Sequence, residues 1–189
     1  MTQLRQSVLL LAAAGMVALA GCSSEKDESS ATAAQVDKMP AAGNIADTLK
    51  SSDDTRTIGD ALATTGLRTV FDDKASYTLL APRDAAFTAL GDKGKALTGA
   101  EDRTAMAALV RDHLIPGYLT PKDIAAAIAA NDSGTVKMRT LGGTELTFTK
   151  SGNDIEVASA DGSKAVLATE PITKGHSVAI PVDSVLKAL

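Results

Sequence analysis

Residues Tyr77–Phe87 read YTLLAPRDAAF. Tyr77–Leu80 suits a buried strand, and Pro82, which has no N–H, fits a strand end or turn. Asp84 then precedes Ala85-Ala86-Phe87, with Phe87 and Leu90 on one face of a short helix. An acid at that point can accept hydrogen bonds from the free N–H groups of the first turn and favours the positive end of the helix dipole. A catalytic Asp84 would need a second carboxylate or a histidine nearby, and a device to hold substrate. The sequence supplies neither, so the stretch reads as strand, turn and helix, with Asp84 as the cap of the helix it begins.

Upstream, Asn44 can cap a helix carrying Ile45 and Leu49, and Ile58, Ala61 and Leu62 have helical spacing up to Gly66. Downstream, Met106, Leu109, Val110 and His113 fall at i, i+3, i+4 and i+7, the stripe of an amphipathic helix that Pro116-Gly117 ends. Thr120-Pro121-Lys122-Asp123 predicts another helix, with Thr120 as N-cap, Pro121 at N1 and an acid at N3. Ile124, Ala127 and Ile128 form its buried face.

After residue 134 the period changes. TVKMRT, ELTFTK, DIEVAS, AVLATE and SVAIPV are short runs rich in β-branched residues, with turn signals at Gly142-Gly143, Gly152-Asn153-Asp154 and Asp161-Gly162. They predict an antiparallel meander closed by a last turn at residues 183–189. Helices first and strands later give an α+β class, with helices on one side of an antiparallel assembly.

Three segments together resemble the fasciclin family: Leu79–Phe87 (LLAPRDAAF), His113–Thr120 (HLIPGYLT) and Ile180–Leu186 (IPVDSVL). The resemblance implies a wedge-shaped β-sandwich with helices packed along it, and an adhesion or interaction domain rather than an enzyme. It marks Pro82, Asp84, Phe87 and Asp183 as structural residues of the motifs. The sequence departs from the family pattern at Arg83, where a threonine is usual. It departs again at Asp112, where animal relatives often carry a tyrosine linked to integrin recognition, which weakens that carry-over. Ile180 stands in place of a histidine, with Pro181 beside it, which implies a bent or edge strand.

The chain has 189 residues and one cysteine. Arg5 precedes an apolar run, Val8–Ala20, that is too short for a stable span and matches the apolar core of a secretory signal. It ends in Leu19-Ala20-Gly21-Cys22, which resembles a bacterial lipobox. That implies cleavage before Cys22 and lipidation there, and several acyl chains anchor a protein firmly. Ser23 after the cysteine favours an outer membrane where the host has two. Residues 22–43, rich in Ser, Ala and charge, read as a flexible tether, which at about 20 residues reaches roughly 25 Å. The expected organisation is therefore a signal peptide at 1–21, lipidated Cys22 and linker at 22–43, and one domain at 44–189. It places the domain at the cell envelope, facing periplasm or exterior, with the lipid as its membrane partner.

Arg5 is the only charged residue before Cys22, so cleavage takes the formal charge from −4 to −5. A mildly acidic domain has no electrostatic footprint for nucleic acid. No cysteine remains for thiol chemistry, no Gly-x-Ser-x-Gly occurs, and Gly94-Lys95 lacks the other residues of a phosphate loop. Two distant histidines make a poor zinc site, and Asp53-Asp54 and Asp72-Asp73 lack the ligand number calcium needs. No cofactor, metal or catalytic residue is expected. His113 reads as a core histidine bonded to backbone near a helix end, with an interaction surface as the alternative; His176 reads as solvated. Of five aromatics, Phe71, Tyr77, Phe87 and Phe148 fall at core positions, and Tyr118 is the one suited to exposure. The expected binding surface is therefore His113, Pro116, Gly117 and Tyr118, on a non-catalytic module that binds another protein, cell or surface. The alternative is a periplasm-facing lipoprotein that aids envelope assembly or stress tolerance by holding a protein or small ligand. A hydrolase built around His113 lacks a nameable nucleophile.

Overall fold

The computed structural model describes residues 43–72, 74–99 and 102–188. The expected signal segment, Cys22 and the tether up to residue 42 lie outside them. The described residues form six α-helices, α1 (Ile45–Lys50), α2 (Arg56–Thr64), α3 (Asp84–Ala89), α4 (Asp92–Thr98), α5 (Arg103–Asp112) and α6 (Pro121–Ala130), and a short 3-10 helix at Leu67–Phe71. The strands are β1 (Tyr77–Pro82), β2 (Leu114–Pro116), β3 (Thr135–Arg139), β4 (Glu145–Ser151), β5 (Asp154–Ser159), β6 (Lys164–Val166), β7 (Ile172–Lys174) and β8 (Ser177–Val182).

The strands make two four-stranded sheets, ordered β2-β1-β8-β7 and β3-β4-β5-β6. The second is the expected antiparallel meander. The first is mixed, because β1 and β8 pair in parallel along their full length, Tyr77 with Ser177 through Pro82 with Val182. The final strand therefore leaves the meander and enters the other sheet, and the assembly is not wholly antiparallel as expected. The class is α+β.

The pairing explains the composition of β1 and β8. Both are buried almost throughout, as strands covered on two faces must be. Leu79, Ala81 and Ala179 face a core built with α1–α5. Leu80, Val178, Ile180 and Val182 face a second core with Leu146, Phe148, Val157 and two isoleucines of α6. Helix α6 thus packs in the second core, and the helices are not confined to one side.

Pro181 lies in a strand with neighbours on both sides, not at an edge. Its carbonyl accepts the Ala168 N–H at 2.8 Å, while the Val182 carbonyl accepts from Arg83 on the β1 side. Backbone groups of one strand residue point the same way, so the proline nitrogen faces away from β1. On that side β7 pairs only as far as Ala179, and no ladder bond is lost.

Local signals act as their chemistry requires. Asn44 accepts the Ala46 N–H at 2.8 Å, and Thr120 with Asp123 forms a complete capping box.

Candidate interaction surface

The His113–Thr120 segment leaves α5, runs as β2 along β1 and enters α6. Its middle is held from below by Thr78, a fully buried residue of β1. The Thr78 hydroxyl donates to the Gly117 carbonyl at 2.8 Å and accepts the Leu119 N–H at 2.9 Å. Gly117 itself donates to Ser76 and has φ of 110°, in the region that favours glycine. The loop is thus fixed on both sides of Tyr118, whose side chain stays outside and is 38% exposed. Pro116 is exposed and Gly117 half-buried.

His113 is not part of this surface. It is fully buried, which corrects its inclusion among the binding residues. Its Nδ1 lies 2.8 Å from the Leu109 carbonyl and its Nε2 3.0 Å from the Leu186 N–H. A carbonyl only accepts and an N–H only donates, so the ring is the neutral tautomer with its proton on Nδ1. Burial pushes its pKa down to about 4, against smaller opposing effects of the Leu109 hydrogen bond and Asp112. The i+7 position on the stripe of α5 carried this reading, and the surface alternative fails because the stripe faces the core.

Asp84 does not cap its own helix. It is the first residue of α3, whose N-cap, Arg83, makes no side-chain capping bond. Its carboxylate instead accepts the Thr57 N–H at 2.8 Å, in the first turn of α2. Thr55, the N-cap of α2, makes no side-chain capping bond to that helix; its hydroxyl donates to the Leu49 carbonyl instead. The Asp84 N–H donates to the Asp54 carbonyl at 2.8 Å, and the Arg83 guanidinium pairs with the Asp54 carboxylate. Asp183 is also structural: its carboxylate accepts the Val166 N–H at 2.8 Å, tying the end of β8 to β6. Phe87 is buried in the first core and Pro82 ends β1.

Asp112, nearly buried, accepts from Thr144 at 2.8 Å and pairs with Lys187 at 2.7 Å. His176 is exposed in the turn between β7 and β8. Among the described residues, no group of three or more His, Cys, Asp or Glu is placed to hold a metal ion, and no helix is long and apolar enough to cross a membrane. One cleft of about 340 Å³ opens between α2, α4 and α5, lined by Thr57, Asp60, Leu97, Thr98, Arg103 and Met106.

The family model for the fasciclin domain matches residues 53–188. The chain belongs to the fasciclin family. Fasciclin domains serve in general as adhesion or interaction modules. A solved FAS1 domain pair from the insect cell adhesion molecule fasciclin I is similar at 17% identity, with a TM-score of 0.49. The match covers 75% of this chain and 44% of that one, so this chain spans less than half the length of that structure. Within the fasciclin pattern, the departures have physical partners: Arg83 finds Asp54, Asp112 finds Lys187 and Thr144, and Ile180 is fully buried.

Proposed function

We propose that this fasciclin domain is a non-catalytic, envelope-anchored adhesion module that binds another protein, cell or surface through the Pro116–Thr120 loop. Tyr118 is its principal contact. The observation that supports this reading is a large aromatic held outward on a loop whose backbone is pinned on both sides by a buried threonine. A rigid aromatic supplies contact area with little ordering cost on binding, which is how interface anchors work. The remainder of the proposal is a signal peptide at 1–21, a lipidated Cys22 with a linker to residue 43, and the domain from 44 onward, placing it at an outer membrane.

A second reading keeps the anchor and turns the domain inward, where it holds a protein or small ligand. The cleft beside Arg103 favours it, since about 340 Å³ lies within the range of small-molecule pockets. Protease shaving of intact cells, with lysed cells as control and a Cys22→Ala chain alongside, separates the two. Cleavage of the domain on intact cells, lost from the cell surface with Cys22→Ala, supports adhesion. Cleavage only after lysis excludes cell–cell adhesion and leaves the inward reading.

A further inference from the structure

The segment after β8 is attached in an unusual way. Asp183 still exchanges backbone contact with Val166. Beyond it, residues 184–188 make no backbone–backbone hydrogen bond among the described residues. Three side chains from elsewhere hold them instead. His113 Nε2 accepts the Leu186 N–H at 3.0 Å, the Asp112 carboxylate pairs with Lys187 at 2.7 Å, and the Asp161 carboxylate accepts the Ala188 N–H at 2.8 Å. Two apolar side chains complete the attachment. Val185 packs in the core shared with α1–α5, and Leu186 in the core beneath the meander. Residues 184–188 therefore plug the seam where the two cores meet.

We infer that this segment is an acid-operated strap, which opens when His113 is protonated and uncovers the apolar seam while both sheets stay folded. The logic lies in the hydrogen-bond roles. A protonated imidazole carries a donor on both nitrogens, so Nε2–H would face the Leu186 N–H, and the bond becomes a repulsion. The groups around the ring are Asp112 on α5, Lys187 on the strap and Asp161 in the turn after β5. The two acids favour a charged ring and Lys187 opposes it, but burial dominates and keeps the ring neutral in the closed state. Opening relieves that burial. Asp161 does not supply the trigger in mild acid. Burial works to raise its pKa, but hydrogen bonds from the Ser163 hydroxyl and the Ala188 and Ser163 N–H groups hold it at about 2. The strap consists of five residues fixed only by side chains, so its release does not require breaking either ladder.

Amide hydrogen exchange on the full chain, corrected for intrinsic rates, tests this at about pH 7 and about pH 4.5. If the open ring has an ordinary histidine pKa, the opening constant rises roughly 50-fold between them. Protection of the Leu186 and Ala188 amides should fall by that factor and, at both pH values, lie well below that of the Leu80 and Leu167 amides of the two sheets, which open only with the whole domain. His113→Gln, which keeps an acceptor for Leu186 but does not titrate, should remove the pH step. Protection at Leu186 and Ala188 equal to that at Leu80 and Leu167 at both pH values would overturn the strap, because the segment would then open only when the whole domain unfolds. A pH step unchanged in His113→Gln would overturn the trigger. Should that variant fail to fold, the comparison of amides in the unaltered chain still decides.

Discussion

The Asp84 carboxylate accepts the Thr57 N–H at 2.8 Å and so caps a helix that begins 28 residues before its own. The capped helix, α2, has no side-chain cap from its own sequence. Asp84→Ala should therefore destabilise the domain by about 1–2 kcal/mol, the usual cost of a lost cap. Asp84→Asn, which retains an acceptor, should cost less. Urea unfolding of the two variants measures both, and equal, negligible losses would mean that Asp84 is not a cap at all.

Thr78 offers a test of the loop that presents Tyr118. Its hydroxyl serves the Gly117 carbonyl and the Leu119 N–H together. Thr78→Val keeps the shape but leaves both backbone groups unpaired, at an expected cost of about 1–3 kcal/mol. Thr78→Ser should recover most of it. Faster exchange of the Leu119 amide in Thr78→Val would accompany the loss of stability.

The pH dependence of global stability follows from His113. Its folded pKa, about 4, lies below the ordinary value of 6.5. Between those values the unfolded chain binds the extra proton, so stability rises with pH there. The contribution is fully present above about pH 6.5 and is lost as the pH falls towards 4, by at most roughly 3 kcal/mol. Denaturant midpoints across this window should fall in acid, and in His113→Gln this part of the slope should flatten.

Gly142 and Gly143 are required for different reasons. Gly143 sits at φ of 88°, in the turn between β3 and β4. At Gly142 a Cβ would come within 2.1 Å of the Asp112 carboxylate oxygen, the same oxygen that Thr144 bonds. Gly142→Ala must displace Asp112 and disturb its pair with Lys187. We expect a loss of about 1–3 kcal/mol, in the range of other overpacked sites, and weakened attachment of the strap, read as faster exchange at Ala188.

What could be read in the sequence was what depends on neighbours along the chain. The Thr120–Asp123 capping box, the turn glycines at 143, 152 and 162, and the stripe that buries His113 all have local causes. Partners distant in sequence could not be read. Nothing near Asp84 names Thr57, and nothing in SVAIPV says that it pairs in parallel with Tyr77–Pro82. Pro181 argued for an edge, because the direction in which its nitrogen points depends on a pairing not yet known. Strands β2 and β7 are three residues each, too short to show a period. Helix α4 buries only Gly94 and Leu97, so it carries no apolar stripe. At the candidate surface, Tyr118 was accessible to sequence reasoning as an aromatic after Pro-Gly, whereas the buried Thr78 beneath it carried no signal.

The measurement that most directly tests the account is adhesion of intact cells carrying equal surface amounts of the unaltered chain or of Tyr118→Ala. The account predicts that Tyr118→Ala leaves stability within about 0.5 kcal/mol, as for an exposed side chain, and abolishes most of the adhesion that the unaltered chain confers. Adhesion undiminished by a folded, surface-displayed Tyr118→Ala chain would contradict it.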